Sequence, residues 1–424
     1  MSVVDNYLKE HGFIIPGNEI YGGYRGLYDY GHIGVLLKKN IQRLWENFFV
    51  FQHDNVYFIE GTILGSEMCW KASGHLDNFH DILVDCMECK KRYREDHLKD
   101  NACPNCGGKK WTTPKEFNLI FKTEGESLYL RPETAQSIFI NFRNVQRFTP
   151  SKIPFAIAQV GKAFRNEITM HNSIFRTLEF EQMECEWFVK KTDSNICFQK
   201  CLEQMQTFLI DVIGLKKEKV KLLEIPEQDR AHYSKRSTDI QFEYETGWGE
   251  LWGLANRGNF DLTAHQNASK KSLEYQEQCD DSKVCKFLPE VIEHSIGLNR
   301  LMYALITSAL EVQESRTVLK IKESLAPYKF AILPLTKSEL NIANKIYSNF
   351  LQEGISILML KKGSIGKRYK KNDEIGTPYC ITIDQGSKLD ANNPSFTIRD
   401  RDTMKQIDSS WDQLKKDNFK VTFE

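Results

Sequence analysis

The chain has 424 residues, which predicts two or three domains. Lys+Arg and Asp+Glu both number 57, so the formal net charge is zero, and a nucleic acid would have to be met by local patches. Hydrophobic residues make up 41% and charged residues 27%, as in an ordinary soluble globular protein, and no apolar run nears the ~18 residues of a membrane span.

The start, MSVVDNYLKEHGF, lacks a basic stretch followed by an apolar one, so no secretory signal and no membrane role are expected. Residues 2–12 predict a short helix. Residues 34–51 carry Val35, Leu36, Leu37, Ile41, Leu44, Trp45, Phe48 and Phe49 at helical spacing. Residues 86–106 form an insertion with its own chemistry, and 115–188 read as strand-rich. Residues 193–214 predict an amphipathic helix burying Ile196, Cys201, Met205, Phe208, Leu209 and Val212, with Gly214 as its stop. Strands return at 237–262, and 287–311 read as helical. Pro327 opens a new alternation: KFAILPL, a helix over 337–353, ISILML and a basic loop. That pattern predicts a separate α/β domain beginning near Leu325. There is no internal repeat and no low-complexity tract.

Eleven cysteines are an odd number, and four of them cluster. This suits a reducing compartment and one metal site better than a disulfide framework. Cys86-Met87-Glu88-Cys89 and Cys103-Pro104-Asn105-Cys106 are CxxC pairs separated by thirteen residues. Each pair turns two thiolates toward one point, and two pairs close a tetrahedron around Zn²⁺. Four sulfur ligands leave no position for water, so such a zinc is structural. Four reduced cysteines without metal give the same pattern, and a zinc ribbon also occurs in nucleic-acid binders.

The stretch from Ala156 to Glu186, AIAQVGKAFRNEITMHNSIFRTLEFEQMECE, is the most informative. Two alternating runs flank a turn-like segment. In a strand, side chains alternate faces. Phe180, Gln182 and Glu184 therefore share one face, and Met183, Cys185 and Trp187 the other. The second face suits a core. The first is either solvated or the floor of a ligand site.

FRNE, a loop and FRTLEFEQME resemble motif 2 of class II aminoacyl-tRNA synthetases, in the form of the homodimeric glycyl-tRNA synthetase family. The resemblance spans almost the whole chain. It implies an α+β fold with an antiparallel-sheet catalytic domain over 1–325. A zinc-ribbon insertion (86–106) and a helical insertion (190–240) interrupt it, and a C-terminal α/β anticodon-binding domain (326–424) follows. It implies activation of glycine by ATP with Mg²⁺, transfer to tRNA-Gly, a homodimer and a cytoplasmic location. By the resemblance, residues 34–51 correspond to motif 1 at the dimer interface; a helix buried in its own subunit is the alternative that periodicity leaves open.

Activation joins a carboxylate to the α-phosphate and expels pyrophosphate, so the protein must position two anions and neutralise charge. Guanidinium forks suit this work. By the resemblance, Arg165 holds the α-phosphate and the glycine carboxylate, and Glu167 reads the adenine amino group. Phe180 stacks on adenine, Arg176 lies near the γ-phosphate, and Asn166 and Phe175 complete that part of the site. Arg300, in Gly297-Leu298-Asn299-Arg300, corresponds to the motif 3 arginine that covers the other face of adenine. Glu250 and Leu251 are further nucleotide contacts. Phe180 and Glu184 lie four residues apart, or roughly 13 Å along a strand, the span of an aminoacyl-adenylate.

Glycine offers only an ammonium and a carboxylate. The resemblance assigns the ammonium to Glu133, Glu184 and Glu293 with Ser295, while Glu181, Gln182 and Gly297 adjoin. Arg257 corresponds to the residue that holds the glycine carboxylate, and Gly253 and Ala255 share its strand face. Glu250 has the opposite parity, so a bulge, a twist or a backbone contact must bring it to ATP. Arg94 resembles a substrate contact, although Arg-Ala-Asp is more usual there. Two other departures stand out. His32 lies in Gly31-His32-Ile33-Gly34 where Gly-Pro-x-Gly is usual, which predicts a looser turn. His294 replaces the proline of Glu-Pro-Ser, either innocently or at the pocket rim.

In the C-terminal part, GSIGKRYKKNDEIGTPYC resembles the anticodon module, which implies tRNA contact by Lys367, Arg368, Tyr369, Lys370 and Lys371, with Lys361 and Lys362 beside them. A solvated basic loop has the same composition. Phe396–Asp402 reads as an edge strand and turn. The alternative to a ligase is a synthetase-like nucleic-acid-binding accessory protein without activation chemistry.

Overall fold

The alternating runs pair into one large sheet. The computed structural model describes residues 2–95, 98–168, 173–278, 284–387 and 393–423. The chain begins with α1 (Val3–Glu10), α2 (His32–Glu46) and β1 (Val56–Phe58). The cysteine segment hangs on β2 (His80–Asp85), β3 (Arg92–Arg94) and β4 (Lys115–Asn118). Next come α3 (Ala135–Phe148), β5 (Phe155–Phe164), β6 (Glu179–Val189) and α4 (Ser194–Thr207). They are followed by β7 (Val220–Glu224), β8 (Arg236–Tyr244), β9 (Gly247–Gly258), α5 (Phe260–Ser269), β10 (Glu290–Gly297) and α6 (Leu298–Ala309). The C-terminal module contains β11 (Phe330–Pro334), α7 (Leu340–Gln352), β12 (Ile357–Met359) and α8 (Ile365–Glu374). It ends with β13 (Tyr379–Ile383), β14 (Ser395–Asp400) and β15 (Gln406–Ser410).

Seven strands form the main sheet in the order β7-β8-β9-β10-β6-β5-β1. Its pairs are antiparallel except β1 with β5. The alternation expected for β6 holds. Met183 and Cys185 are fully buried under α2, α4 and α6, among Leu37, Ile41, Trp45, Phe208, Leu301 and Leu305. Each large apolar side chain buried there contributes roughly 1.5–3 kcal/mol. The other face carries Phe180, Gln182, Glu184, Glu186 and Phe188 in sequence. At its Phe188 end α3 and α5 close over it with Phe139, Phe142 and Leu262. Among the described residues no helix closes over its Phe180 end in that way, and the cavity opens there.

Helix α2 faces its apolar stripe, Ile33, Leu37, Ile41 and Trp45, into the core of its own chain. Its entry turn is tight despite His32. A Cβ on Gly31 would fall 2.2 Å from the Gly12 carbonyl oxygen, and one on Gly34 would fall 1.9 Å from that of Phe13. Only glycine permits this backbone approach.

Several expectations are corrected. The stretch 115–188 contains the helix α3, whose Ala135, Ile138, Phe139, Phe142 and Val145 repeat at helical spacing. Residues 290–297 form a strand. As a middle strand of the sheet, β10 is buried on both faces, which erases the alternation that marks an exposed strand. The helix after Asp193 runs as expected to Gly214, which caps it at φ 89°, but Ile196 is 61% exposed. Beyond it, β7 and β8 belong to the main sheet, so 190–240 is only partly helical.

In the C-terminal module the order is β12-β11-β13-β14-β15, parallel around β11 and antiparallel beyond β13. β14 is therefore an interior strand, and the exposed edge is β15. The basic loop is the helix α8. Its inner face holds Arg368, 4% exposed, whose Nη1 donates to the carbonyls of Pro334 at 2.6 Å and Leu360 at 3.1 Å.

Candidate active site

A cavity of about 480 Å³ opens on the polar face of the sheet. One end is built from guanidinium groups and rings. Arg165 leaves the end of β5 and donates from Nε to the Pro132 carbonyl at 2.9 Å. Its guanidinium lies 5.3 Å from the ring centres of both Phe79 and Phe180. This bond and these rings fix the plane of the guanidinium at the cavity wall. Arg300, in the first turn of α6, lies 4.8 Å above the Phe175 ring, and its Nη1 is 3.1 Å from Glu250 Oε2. Arg176 and Glu167 face each other at 3.9 Å. Leu251 and Gly297 complete this wall.

Glu250 reaches the cavity through a β-bulge. Between β8 and β9 the register pairs Ile240 with Trp252 and then Gln241 with Glu250. Leu251 is the extra residue, so Glu250 turns onto the face of Gly253. Asp239, opposite Gly253, brings a second carboxylate that sequence reasoning missed. Burial, and then Glu250, push Asp239 up to about 7. Two acids beside arginines suit a divalent cation bound with a polyphosphate.

The other end is acidic. Glu184 Oε1 accepts hydrogen bonds from Ser295 Oγ at 2.6 Å and Gln182 Nε2 at 3.1 Å, while Thr134 Oγ1 donates to its other oxygen. Glu133 lies 3.2 Å from His75 Nε2 and accepts from Gln136 Nε2 at 3.0 Å. Glu293 completes the set. Burial first, then Glu293 and Glu133, push Glu184 up to about 7. Burial also acts to raise Glu133, but His75, and then Arg257 and Gln136, more than offset it and hold its carboxyl well below the usual range. Gly253 and Ala255 floor this end, and Tyr233 lies against it. Three carboxyls around one end of the cavity suit a cationic group such as an ammonium.

Four predicted residues are not on the cavity wall. Arg257 lies behind it, 1% exposed, with Nε and Nη2 on Asp261 at 2.7 and 2.9 Å and Nη1 on Glu293 at 2.5 Å. Tyr233 stacks 3.7 Å from its guanidinium. Glu181 has the parity opposite to Gln182 and pairs with Lys38 at 2.8 Å. Arg94 pairs with Asp81 at 3.1 Å in the cysteine insertion. Asn166 adjoins the cavity without lining it, with its N–H on the Leu119 carbonyl. Sequence reasoning also missed Glu186, fully buried beyond Glu184, with no hydrogen-bond partner for either oxygen among the described residues.

His294 points to the opposite face, among Trp45, Phe49 and Trp252, so it does not shape the rim. Neither ring nitrogen has a partner among the described residues. Burial lowers its pKa from 6.5 to about 3. Below pH 6.5 the unfolded chain therefore takes up a proton that the folded chain refuses, and stability falls until about pH 3. His294→Leu is expected to stabilise the fold by about 1 kcal/mol by removing an unsatisfied polar group. Thermal melts from pH 7 to pH 4 check this: the gain should widen as the pH falls, and a constant or negative difference would contradict the assignment.

The four thiols of Cys86, Cys89, Cys103 and Cys106 lie within 4.8 Å of one another, with 3.6 Å between Cys86 and Cys106 and between Cys89 and Cys103. A tetrahedron of 2.3 Å Zn–S bonds has edges of about 3.8 Å, so the set fits zinc. Among the described residues nine cysteines are free thiols, and Cys285 is disulfide-bonded.

The family described as tRNA synthetase class II core domain (G, H, P, S and T) matches residues 117–309, and the anticodon binding domain family matches 329–417. The glycine–tRNA ligase of Malacoplasma penetrans is 44% identical, over 95% of this chain and 93% of its own length. That of Geobacillus kaustophilus is 40% identical, over 98% and 97%. Among solved structures, Giardia lamblia prolyl-tRNA synthetase superposes with a TM-score of 0.65 at 16% identity, covering 96% of this chain and 72% of its own, a likeness of fold alone. The chain belongs to the glycine–tRNA ligase family of class II aminoacyl-tRNA synthetases.

Proposed function

We propose that this chain activates glycine with ATP and transfers it to tRNA-Gly, with the two ends of the cavity dividing the work. The observation that carries the reading is one cavity with an arginine-and-ring end adjoining an end of three carboxyls. Adenine lies between Phe180 and Arg300, with Glu167 on its amino group. Arg165 bridges the α-phosphate and the glycine carboxylate, while Arg176 and Arg300 meet the γ-phosphate. Asn166, Phe175, Leu251 and Gly297 support the nucleotide. Glu250 and Asp239 would hold Mg²⁺, which when bound neutralises phosphate charge. Glu133, Glu184 and Glu293, with Ser295 and Gln182, grip the ammonium. Gly253, Ala255 and Tyr233 line this end, where the side chain of a larger amino acid would have to fit. A glycine carboxylate oxygen then attacks the α-phosphorus and pyrophosphate leaves. In the second step a terminal ribose hydroxyl of the tRNA attacks the carbonyl carbon and AMP leaves. Arg165 and Arg300 serve both charge neutralisation and alignment.

We assign catalysis to residues 1–325 and anticodon contact to 326–424. Lys367, Lys370 and Lys371 are exposed on α8 and suit phosphate contact. Tyr369 is half-buried with its hydroxyl on Thr382, and Arg368 supports the helix from inside. Zn²⁺ at the four cysteines is structural in this reading, and metal analysis finding none in active protein would refute it. The homodimer is supported by β1 at the sheet edge beside exposed Phe51, Phe58 and Phe148. A monomer by sedimentation at micromolar concentration would count against it. No helix is long and apolar enough to cross a membrane among the described residues. A cytoplasmic site of action fits this, and recovery of the protein in membranes after cell fractionation would not.

Glycine-dependent pyrophosphate–ATP exchange, with alanine and serine as controls, followed by charging of tRNA-Gly, tests the whole. Exchange with glycine alone is expected. Its absence, with tRNA binding retained, would favour the accessory-protein alternative.

A further inference from the structure

Helix α1 supplies no wall of the cavity, yet its polar residues are built into the ATP end. Asp5 is 7% exposed, and its Oδ1 accepts a hydrogen bond from Ser173 Oγ at 2.6 Å. Ser2 caps the helix by accepting the Asp5 N–H at 2.9 Å, and its hydroxyl also meets Tyr303 Oη on α6 at 3.1 Å. The first turn of α1 thus grips two elements 130 residues apart in sequence. Both are elements on which the nucleotide end depends.

Ser173 takes φ 44°, a left-handed conformation that a serine adopts at some cost. It opens the 173–176 turn. Ile174 is buried, while Phe175 and Arg176 line the cavity. The Phe175 ring sits 6.2 Å from Tyr303 and 4.9 Å from Tyr244. Its carbonyl accepts from Arg300 Nε at 3.4 Å, and its ring underlies the Arg300 guanidinium. The hydrogen bond to Asp5 offsets part of the cost of this backbone state. A carboxylate accepting a hydrogen bond from a hydroxyl in a buried setting makes one of the stronger hydrogen bonds.

We propose that Asp5 is a positioning residue for the nucleotide. Through Ser173 it fixes the 173–176 turn, and so sets Phe175 and the Arg300 guanidinium that rests on it. This deepens the assignment of Arg176 and Arg300 to ATP and rests on it. Asp5 does not touch the substrate.

The test uses the full-length chain with Asp5→Ala, Asp5→Asn, Ser173→Ala and the Asp5→Ala/Ser173→Ala double variant. ATP Kd is measured by calorimetry without glycine, and the KM values for ATP and glycine are measured by pyrophosphate exchange. Each alanine variant is expected to raise ATP Kd and KM about tenfold, the scale of one charge-assisted hydrogen bond, with glycine KM changed less than about twofold. The double variant should be no worse than either single one, because both remove the same contact. Asp5→Asn keeps an acceptor oxygen and should recover most of the affinity. A merely structural role would lower the melting temperature and move both KM values together. An unchanged ATP Kd in a folded Asp5→Ala protein, a joint rise of both KM values, or additive effects would overturn the proposal. Should Asp5→Ala not fold, Ser173→Ala decides on the same criteria. Wild-type protein that binds ATP but gives no exchange would refute activation while leaving Asp5 to be judged on Kd. Wild-type protein that binds no ATP would overturn both.

Discussion

Glutamine at Glu184 is expected to cut glycine-dependent pyrophosphate exchange by about a thousandfold while leaving ATP affinity within about twofold. The amide keeps the volume and can still accept from Ser295 Oγ, 2.6 Å away, so the pocket should keep its shape. What is lost is a negative charge, 2% exposed, facing the ammonium. A buried cation deprived of one partner costs about 3–5 kcal/mol, which converts to two to nearly four orders of magnitude. Near-normal exchange by this variant would refute the ammonium role. The same residue predicts a pH dependence. Burial, and then Glu293 and Glu133, push the Glu184 carboxyl from 4.5 up to about 7. An arriving ammonium favours the ionised form, so below about pH 7 binding must expel a proton, and glycine kcat/KM should fall about tenfold per unit. For folding the sign is reversed. The folded chain holds a proton between pH 4.5 and 7 that the unfolded chain releases, so this stabilising contribution is present below 4.5 and lost as the pH rises to 7. The thermal shift produced by glycine should therefore grow over that window in the wild type, and far less in Glu184→Gln.

What could be read from the sequence was what repeats locally. Strand parity placed Phe180, Gln182 and Glu184 together on one face, which lines the cavity, and Met183 and Cys185 on the other, which is core, because a strand has a fixed period of two. The same parity sets Glu181 apart, and there the physical rule was a better guide than resemblance. Parity also left a bulge, a twist or a backbone contact to bring Glu250 round, and the register shift at Leu251 shows that it is a bulge. The cysteine spacing announced its own tetrahedron. Asp239 and Tyr233 stayed hidden because their place depends on pairing across β8 and β9 and on the loop that crosses the cavity, which one sequence does not encode visibly. The buried strand β10 looked helical because both of its faces are covered. α8 looked like a loop because its lysines dominate the composition, although Arg368, Asn372 and Asp373 mark an inner helical face.

Arg257→Ala is expected to destabilise the fold by about 3–5 kcal/mol and to raise glycine KM at least about tenfold, with ATP KM nearly unchanged. The position of Arg257 changes the expected cause. It does not reach into the cavity to hold a carboxylate. It sits behind the floor and bonds two acids, Asp261 and Glu293, with 1% of its surface exposed. Without it, those two carboxyls and Glu186 are buried together without their shared cation. Burial already pushes Glu293 up, with Arg257 opposing and Glu133 adding to the push, so loss of the guanidinium drives Glu293 toward its neutral form. The ammonium then meets fewer negative charges, and the glycine requirement rises through Glu293 instead of through a direct contact. Arg257→Lys restores one charge but not the fork on Asp261, and should recover glycine affinity better than stability. A double-variant cycle separates the two causes. If Arg257 works through Glu293, then Arg257→Ala with Glu293→Gln has the glycine KM of Glu293→Gln alone. If instead the guanidinium grips the glycine carboxylate, the two losses multiply. Equal rises in the glycine and ATP requirements would remove Arg257 from the glycine end altogether.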